Sequence, residues 1–172
     1  MIMSTSEQVP YKILFLCTGN SARSIMAEYL MKRLSKNKFE AYSAGSHPTG
    51  KVNPLAMKTL QEIYKIEVND ARSKSWDEFK DTKFDFVITV CDNARESCPV
   101  WPGQPIIAHW GSEDPAAVEG SDEQKQRAFF RISQEIYRRL DIFTNLPFHT
   151  FDKLKLAEIT KAIAQEKASS PS

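Results

Sequence analysis

The segment Tyr11–Leu16 (YKILFL) is a short, mostly apolar run that ends at a polar, glycine-containing stretch and then gives way to a helical pattern. Ile25, Met26, Tyr29, Leu30 and Leu34 recur at spacings of three and four, one stripe of an amphipathic helix. The order strand, loop, helix then repeats. A second strand is expected at Phe39–Ser43, closed by Gly45 and Pro48. Asn53 reads as an N-cap with Pro54 at the first helical position, opening a helix to about Ile63. Phe84–Val90 (FDFVITV) is the strongest strand signal, rich in β-branched and aromatic residues and too continuous to be half exposed, so it belongs at the centre of a sheet. A Pro- and Gly-rich loop leads to a short strand at Ile106–His109. A long helix follows from about Asp122 to Phe143, with Phe129, Ile132, Ile136, Leu140 and Phe143 on one face. Alternating strands and helices predict a single α/β domain, a four-stranded parallel sheet with helices on both faces.

The organisation expected is a flexible N-terminal arm at residues 1–10, a catalytic domain at 11–147 and a C-terminal extension at 148–172. The extension holds a short helix at about Asp152–Ile163, either docked or loosely attached, and a disordered end at Ser169–Ser172. In 172 residues, 23 Lys and Arg stand against 22 Asp and Glu, a net charge of +1. Interspersed signs give no basic stripe for nucleic acid. No apolar run approaches the ~20 residues of a membrane span. The polar first ten residues lack the apolar core of a secretory signal, so a cytoplasmic location is expected.

Three cysteines, Cys17, Cys91 and Cys98, are too few for a disulfide framework. Cys91 and Cys98 are spaced too widely for the usual zinc pairing, and His47, His109 and His149 are scattered, so no metal site is expected. In Cys17-Thr18-Gly19-Asn20-Ser21-Ala22-Arg23-Ser24, a cysteine and an arginine bracket five residues between a strand and a helix. Such a loop can wrap a tetrahedral anion with its backbone N–H groups turned inward, Gly19 and Asn20 tolerating the dihedral angles required. The helix start adds positive potential, and Arg23 offers two parallel donors. The same donors are expected to lower the pKa of Cys17 and make it a thiolate nucleophile, with Ser24 near enough to hydrogen-bond the sulfur. The plainer alternative is a buried strand-end cysteine and a surface arginine.

The stretch ILFLCTGNSARSIMAE resembles the signature of the low-molecular-weight protein tyrosine phosphatases and of the thioredoxin-coupled arsenate reductases that share their fold. The resemblance runs from about Lys12 to about Pro147 and includes YSAGSHP and Asp114-Pro115. One departure is Ala22, where many members have a second cysteine. The resemblance implies that Asp114 is the general acid; Glu113 is its neighbouring competitor, and Asp-Pro alone is also a common turn opener. It further implies a relay. Cys17 attacks arsenate, Cys91 attacks Cys17 and releases arsenite, and Cys98 attacks Cys91, with Asp92–Ser97 as the flexible segment that lets it swing. Read alone, Cys91 is as well explained by core packing and Cys98 by a loop thiol.

Phosphate and arsenate are alike in shape and charge, so the loop does not separate reductase from phosphatase. Phosphatases of this fold usually carry aromatic residues after the Asp-Pro pair; Ala116 and Ala117 stand here, which favours the reductase branch. That branch implies no bound cofactor, an external reductant (thioredoxin, or glutathione with glutaredoxin), and phosphate and sulfate as competing anions. Asn20, Glu28 and Ser43 match positions that help bind potassium in some relatives, without a convincing acidic partner. A non-catalytic anion-sensing module is the reading from another class; it leaves the acid and the paired cysteines unexplained. The tryptophans, Trp76, Trp101 and Trp110, and the histidines His47 and His109 are read as structural.

Overall fold

A computed structural model describes residues 9–35 and 37–167. The expected arm at 1–10 and the end at Ser169–Ser172 therefore lie largely or wholly outside the described residues. Four strands, β1 (Tyr11–Cys17), β2 (Phe39–Gly45), β3 (Phe86–Thr89) and β4 (Ile106–His109), form one parallel sheet in the order β2-β1-β3-β4. Among the described residues, five α-helices accompany them: α1 (Arg23–Leu34), α2 (Pro54–Glu62), α3 (Asp92–Ser97), α4 (Asp122–Thr144) and α5 (Lys153–Ala162). The expected α/β domain with a four-stranded parallel sheet is the fold observed.

Successive residues of a strand point to opposite faces, so a run of buried neighbours means that both faces are covered. Ile13, Leu14, Phe15 and Leu16 of β1 are fully buried, as are Val87 and Ile88 of β3. The outer strand β4 alternates instead, with Ile107 exposed. Beneath the sheet, Tyr11, Phe39, Phe86, Phe143 and Phe148 form a cluster of tilted and edge-to-face rings. Helices α1, α2 and α4 pack against one another, and α5 packs on β4.

Local chemistry explains the ends of these elements. Asn53 caps α2 by accepting from Leu55 N–H, with Pro54 at the first position. Ser121 and Gln124 close a reciprocal capping box at the start of α4. Strand β2 runs two residues past the expected end at Ser43, because Gly45 still pairs with Cys17. A Cβ at Gly45 would lie 2.4 Å from the Thr18 carbonyl oxygen, so only glycine lets the strand end lie this close. Asp92–Ser97, expected as a flexible segment, is the six-residue helix α3, with Cys91 at its N-cap and Cys98 at its C-cap. Its sequence, DNARES, has too few apolar positions to show a helical stripe.

The C-terminal extension is docked. Trp110 Nε1 donates to the Thr160 carbonyl at 2.9 Å. Arg139, 1% exposed, donates to the carbonyls of Glu166, Ala164, Gly111 and Trp110 at 2.8–3.2 Å. One buried guanidinium thus ties the end of the described chain to the loop after β4. Among the described residues, no helix is long and apolar enough to cross a membrane.

Candidate active site

In an open parallel sheet, ligands bind beyond the carboxyl ends of the strands where the chain order reverses. Here that point lies between β1 and β3, since β2 continues on the other side of β1. Cys17 ends β1, and Cys91 follows β3 by two residues. The sheet therefore places both cysteines at one crevice, and Thr18 Oγ1 lies 3.3 Å from Cys91 Sγ. Asn93 Nδ2 donates to the same Thr18 hydroxyl at 3.1 Å, tying the first turn of α3 to the loop.

The loop from Cys17 to Ser24 is held from outside by its carbonyls. Those of Cys17, Thr18, Gly19 and Ser21 accept from the N–H groups of Ser46, His47, Thr49 and Asn53 at 2.8–3.2 Å. The Ser73 hydroxyl adds a second bond to the Gly19 carbonyl. Across a trans peptide the N–H points opposite to the carbonyl, so these ties turn the N–H groups of Thr18, Gly19, Asn20 and Ala22 toward the concave side. This gives YSAGSHP a physical role as the brace of the loop. Of the two residues expected to take unusual dihedral angles, only Asn20 has a positive φ, 46°. Gly19 serves a close approach instead, a Cβ there meeting Thr49 Cγ2 at 3.1 Å.

Cys17 is buried, with Ser24 Oγ 2.8 Å from its sulfur and the Asn20 N–H donating to it at 3.1 Å. Burial raises its pKa above the ordinary thiol value. The Ser24 and Asn20 bonds and the Arg23 charge oppose the rise without cancelling it. The depressed pKa expected from the loop's donors is thus opposed by the burial of the sulfur. The Arg23 guanidinium donates to the Ser112 carbonyl at 2.8 Å and stands 3.9 Å from Asp114.

Asp114 sits at the start of a short 3-10 turn, where Oδ1 accepts from Ala116 N–H and Oδ2 faces Arg23. Glu113 turns outward to Arg131 at 2.6 Å. Of the two carboxylates, Asp114 is the one near Arg23. Cys98 is half-buried; burial pushes its thiol up, partly offset by the Trp101 indole, whose N–H makes no well-formed hydrogen bond of its own.

Behind the loop lies a feature that sequence reasoning missed. Lys74 is buried, and its Nζ stands among Arg72 O, Ser43 Oγ, Asn20 Oδ1 and Glu28 Oε1 at 3.1–3.4 Å. Asn20, Glu28 and Ser43 do converge, as their match to cation-binding positions implied, but on an ammonium. Lys74 belongs to a stretch without helix or strand periodicity, so nothing local marked it. Ser112 was missed for the same reason; its hydroxyl donates to Glu135 at 2.6 Å while its carbonyl holds Arg23. The His109 ring bridges Thr89 and Asp92, and the His47 ring meets the Ser46 hydroxyl. Among the described residues, no group of three or more His, Cys, Asp or Glu side chains is arranged to hold a metal ion.

A parallel sheet that presents a braced Cys-x5-Arg loop and an Asp-Pro turn at its carboxyl edge defines a class of phosphate-type oxyanion enzymes. The chain belongs to the low molecular weight phosphotyrosine protein phosphatase family, whose model matches residues 12–146. Within it, the chain is 42% identical over 131 residues to an arsenate reductase of Halalkalibacterium halodurans, covering 76% of this chain and 93% of that one. The fold matches a crystal structure of arsenate reductase from Archaeoglobus fulgidus with a TM-score of 0.61 and 32% identity, covering 78% of this chain and 99% of the other. It also matches a low molecular weight protein tyrosine phosphatase from T. tengcongensis with a TM-score of 0.66 and 25% identity, covering 79% and 99%.

Proposed function

We propose that the protein is an arsenate reductase in which Cys17 attacks the oxyanion and Cys91 and Cys98 carry the resulting oxidation away. The observation that carries this reading is the position of Cys91 beside the loop, its sulfur 3.3 Å from Thr18 Oγ1, where a phosphatase needs no second thiol. Arsenate binds against the inward N–H groups and the start of α1, and Arg23 turns from Ser112 to clamp it. Cys17 gives its proton to the bound arsenate dianion and attacks arsenic as the thiolate. Asp114 protonates the departing hydroxyl, which leaves as water.

The thiolate of Cys91 then attacks Cys17 Sγ. The new S–S bond forms as the S–As bond breaks, and its electron pair stays on arsenic, which leaves as arsenite. Cys98 attacks Cys91 and releases Cys17. The Cys91–Cys98 disulfide is returned to two thiols by an external dithiol of the thioredoxin type. Phosphate and sulfate compete for the same loop, and the protein works as a soluble enzyme in the reducing cytoplasm.

Single-turnover arsenate reactions of cysteine variants, mapped for disulfides by mass spectrometry, test the scheme. Cys98→Ser is expected to accumulate a Cys17–Cys91 disulfide, and Cys91→Ser to stop before arsenite leaves. Hydrolysis of a small aryl phosphate, which needs only Cys17, Arg23 and Asp114, persists in both. Full arsenate turnover in both variants would show that the relay is wrong.

A further inference from the structure

The Lys74 ammonium is surrounded in a way that differs from an ordinary ion pair. An ammonium has three protons to give, yet four oxygens from four residues surround this one at 3.1–3.4 Å. Charge-assisted N–H···O bonds ordinarily close to about 2.7–2.9 Å. Nζ therefore sits near the middle of an oxygen cage, as a bare cation would, and does not favour one partner. Glu28 does not depend on Lys74 alone: Lys32 takes its other oxygen at 2.7 Å, and the Ser43 hydroxyl donates to the first.

The cage has one wall in common with the oxyanion loop, and that wall is Asn20. Its carbonyl oxygen accepts from Lys74 N–H at 2.9 Å and faces Nζ at 3.4 Å. Its amide donates to Ser24 at 2.8 Å and to Ser43 at 3.0 Å. Its own backbone has φ of 46° and donates to Cys17 Sγ. An asparagine fully buried in the left-handed region persists only when its surroundings hold it there. We propose that Lys74 is a positioning residue, a tethered internal cation that fixes Asn20 and with it the loop in its anion-binding shape. Its positive charge also lies behind the loop, where an incoming anion would feel it. The protein thus carries on its own chain a cation that a cage of this kind would otherwise draw from solution. The proposal rests on the loop being an oxyanion site, and not on the cysteine relay.

Phosphate affinity, read from protection of Cys17 against alkylation, isolates this role from reduction. Wild-type protein should bind phosphate equally well in sodium, potassium and choline chloride. Lys74→Met, which keeps bulk and loses charge, should bind phosphate about tenfold more weakly or worse, the order expected when hydrogen bonds to a charged group are lost. No salt should restore it. Lys74→Ala leaves a hole that potassium or methylammonium can fill and choline cannot, so those two cations should recover most of the lost affinity. Wild-type affinity in Lys74→Met, or a potassium-stimulated wild type, would overturn the proposal. If Lys74→Ala does not fold, Lys74→Met and the cation-indifference of the wild type decide the matter. Failure of the wild type to bind phosphate at all would instead remove the oxyanion reading on which the proposal stands.

Discussion

At Cys17 two physical effects compete, and their balance sets how readily its sulfur ionises. Removing a sulfur from water disfavours its anion, while hydrogen bonds from Ser24 and Asn20 and the nearby Arg23 favour it; burial is the largest of these effects. Alkylation of the anion-free protein should therefore have a pH midpoint above the ~8.5 of a free thiol. A midpoint below that value would mean that the resting loop already holds a thiolate. For the acid, Asp114→Asn should slow adduct formation roughly 10²- to 10⁴-fold while leaving phosphate affinity nearly intact, because a proton donor acts on the transition state. Stopped-flow adduct formation and phosphate titration separate the two effects, and wild-type turnover in Asp114→Asn with the loss in Glu113→Gln instead would move the assignment by one residue. Cys17, Arg23 and Asp114 were legible because each belongs to a local pattern of neighbours. Lys74 and Ser112 were not, since their partners lie dozens of residues away.

At the scale of elements, the strands were read well, because continuous apolar runs in a parallel sheet leave little ambiguity. The ends were less legible: β2 is prolonged by pairing with Cys17, a tertiary effect absent from its own sequence. The helix α3 was missed because it is short and polar, and it carries the greatest mechanistic consequence. Cys91 and Cys98 stand at its two ends, seven residues apart, which along a helix is about 10 Å. A disulfide requires Cα atoms within ~7 Å, so the helix must unwind before the Cys91–Cys98 bond closes. A six-residue helix has little intrinsic stability and gives way readily. Hydrogen exchange should accordingly show the amides of Asp92–Ser97 losing protection on oxidation and regaining it on reduction. Unchanged protection in protein with a mapped Cys91–Cys98 bond would refute the unwinding.

Over the whole molecule, the sequence left open whether the C-terminal extension was docked. Its attachment rests on backbone carbonyls meeting Arg139, which no periodicity reveals. Arg139 and Glu135 are both buried, and losing the guanidinium removes a charge partner from the carboxylate and the donor from four backbone carbonyls. Arg139→Leu should thus destabilise the fold by about 3–5 kcal/mol, measured by urea unfolding. An unchanged midpoint would show that the guanidinium does not clamp the chain. The clamp also has a consequence for behaviour under heat. From the Glu166 carbonyl through Arg139 and Ser112 to Arg23 there are three successive contacts, so the segment around Glu166 is wired to the arginine of the loop. Segments held by few contacts open at lower free energy than central strands. On warming, the segment around Glu166 should detach first and release Arg23 while the sheet is still intact. Turnover then fails at a lower temperature than ellipticity, and cooling restores it, as in a circuit whose fuse sits far from its lamp.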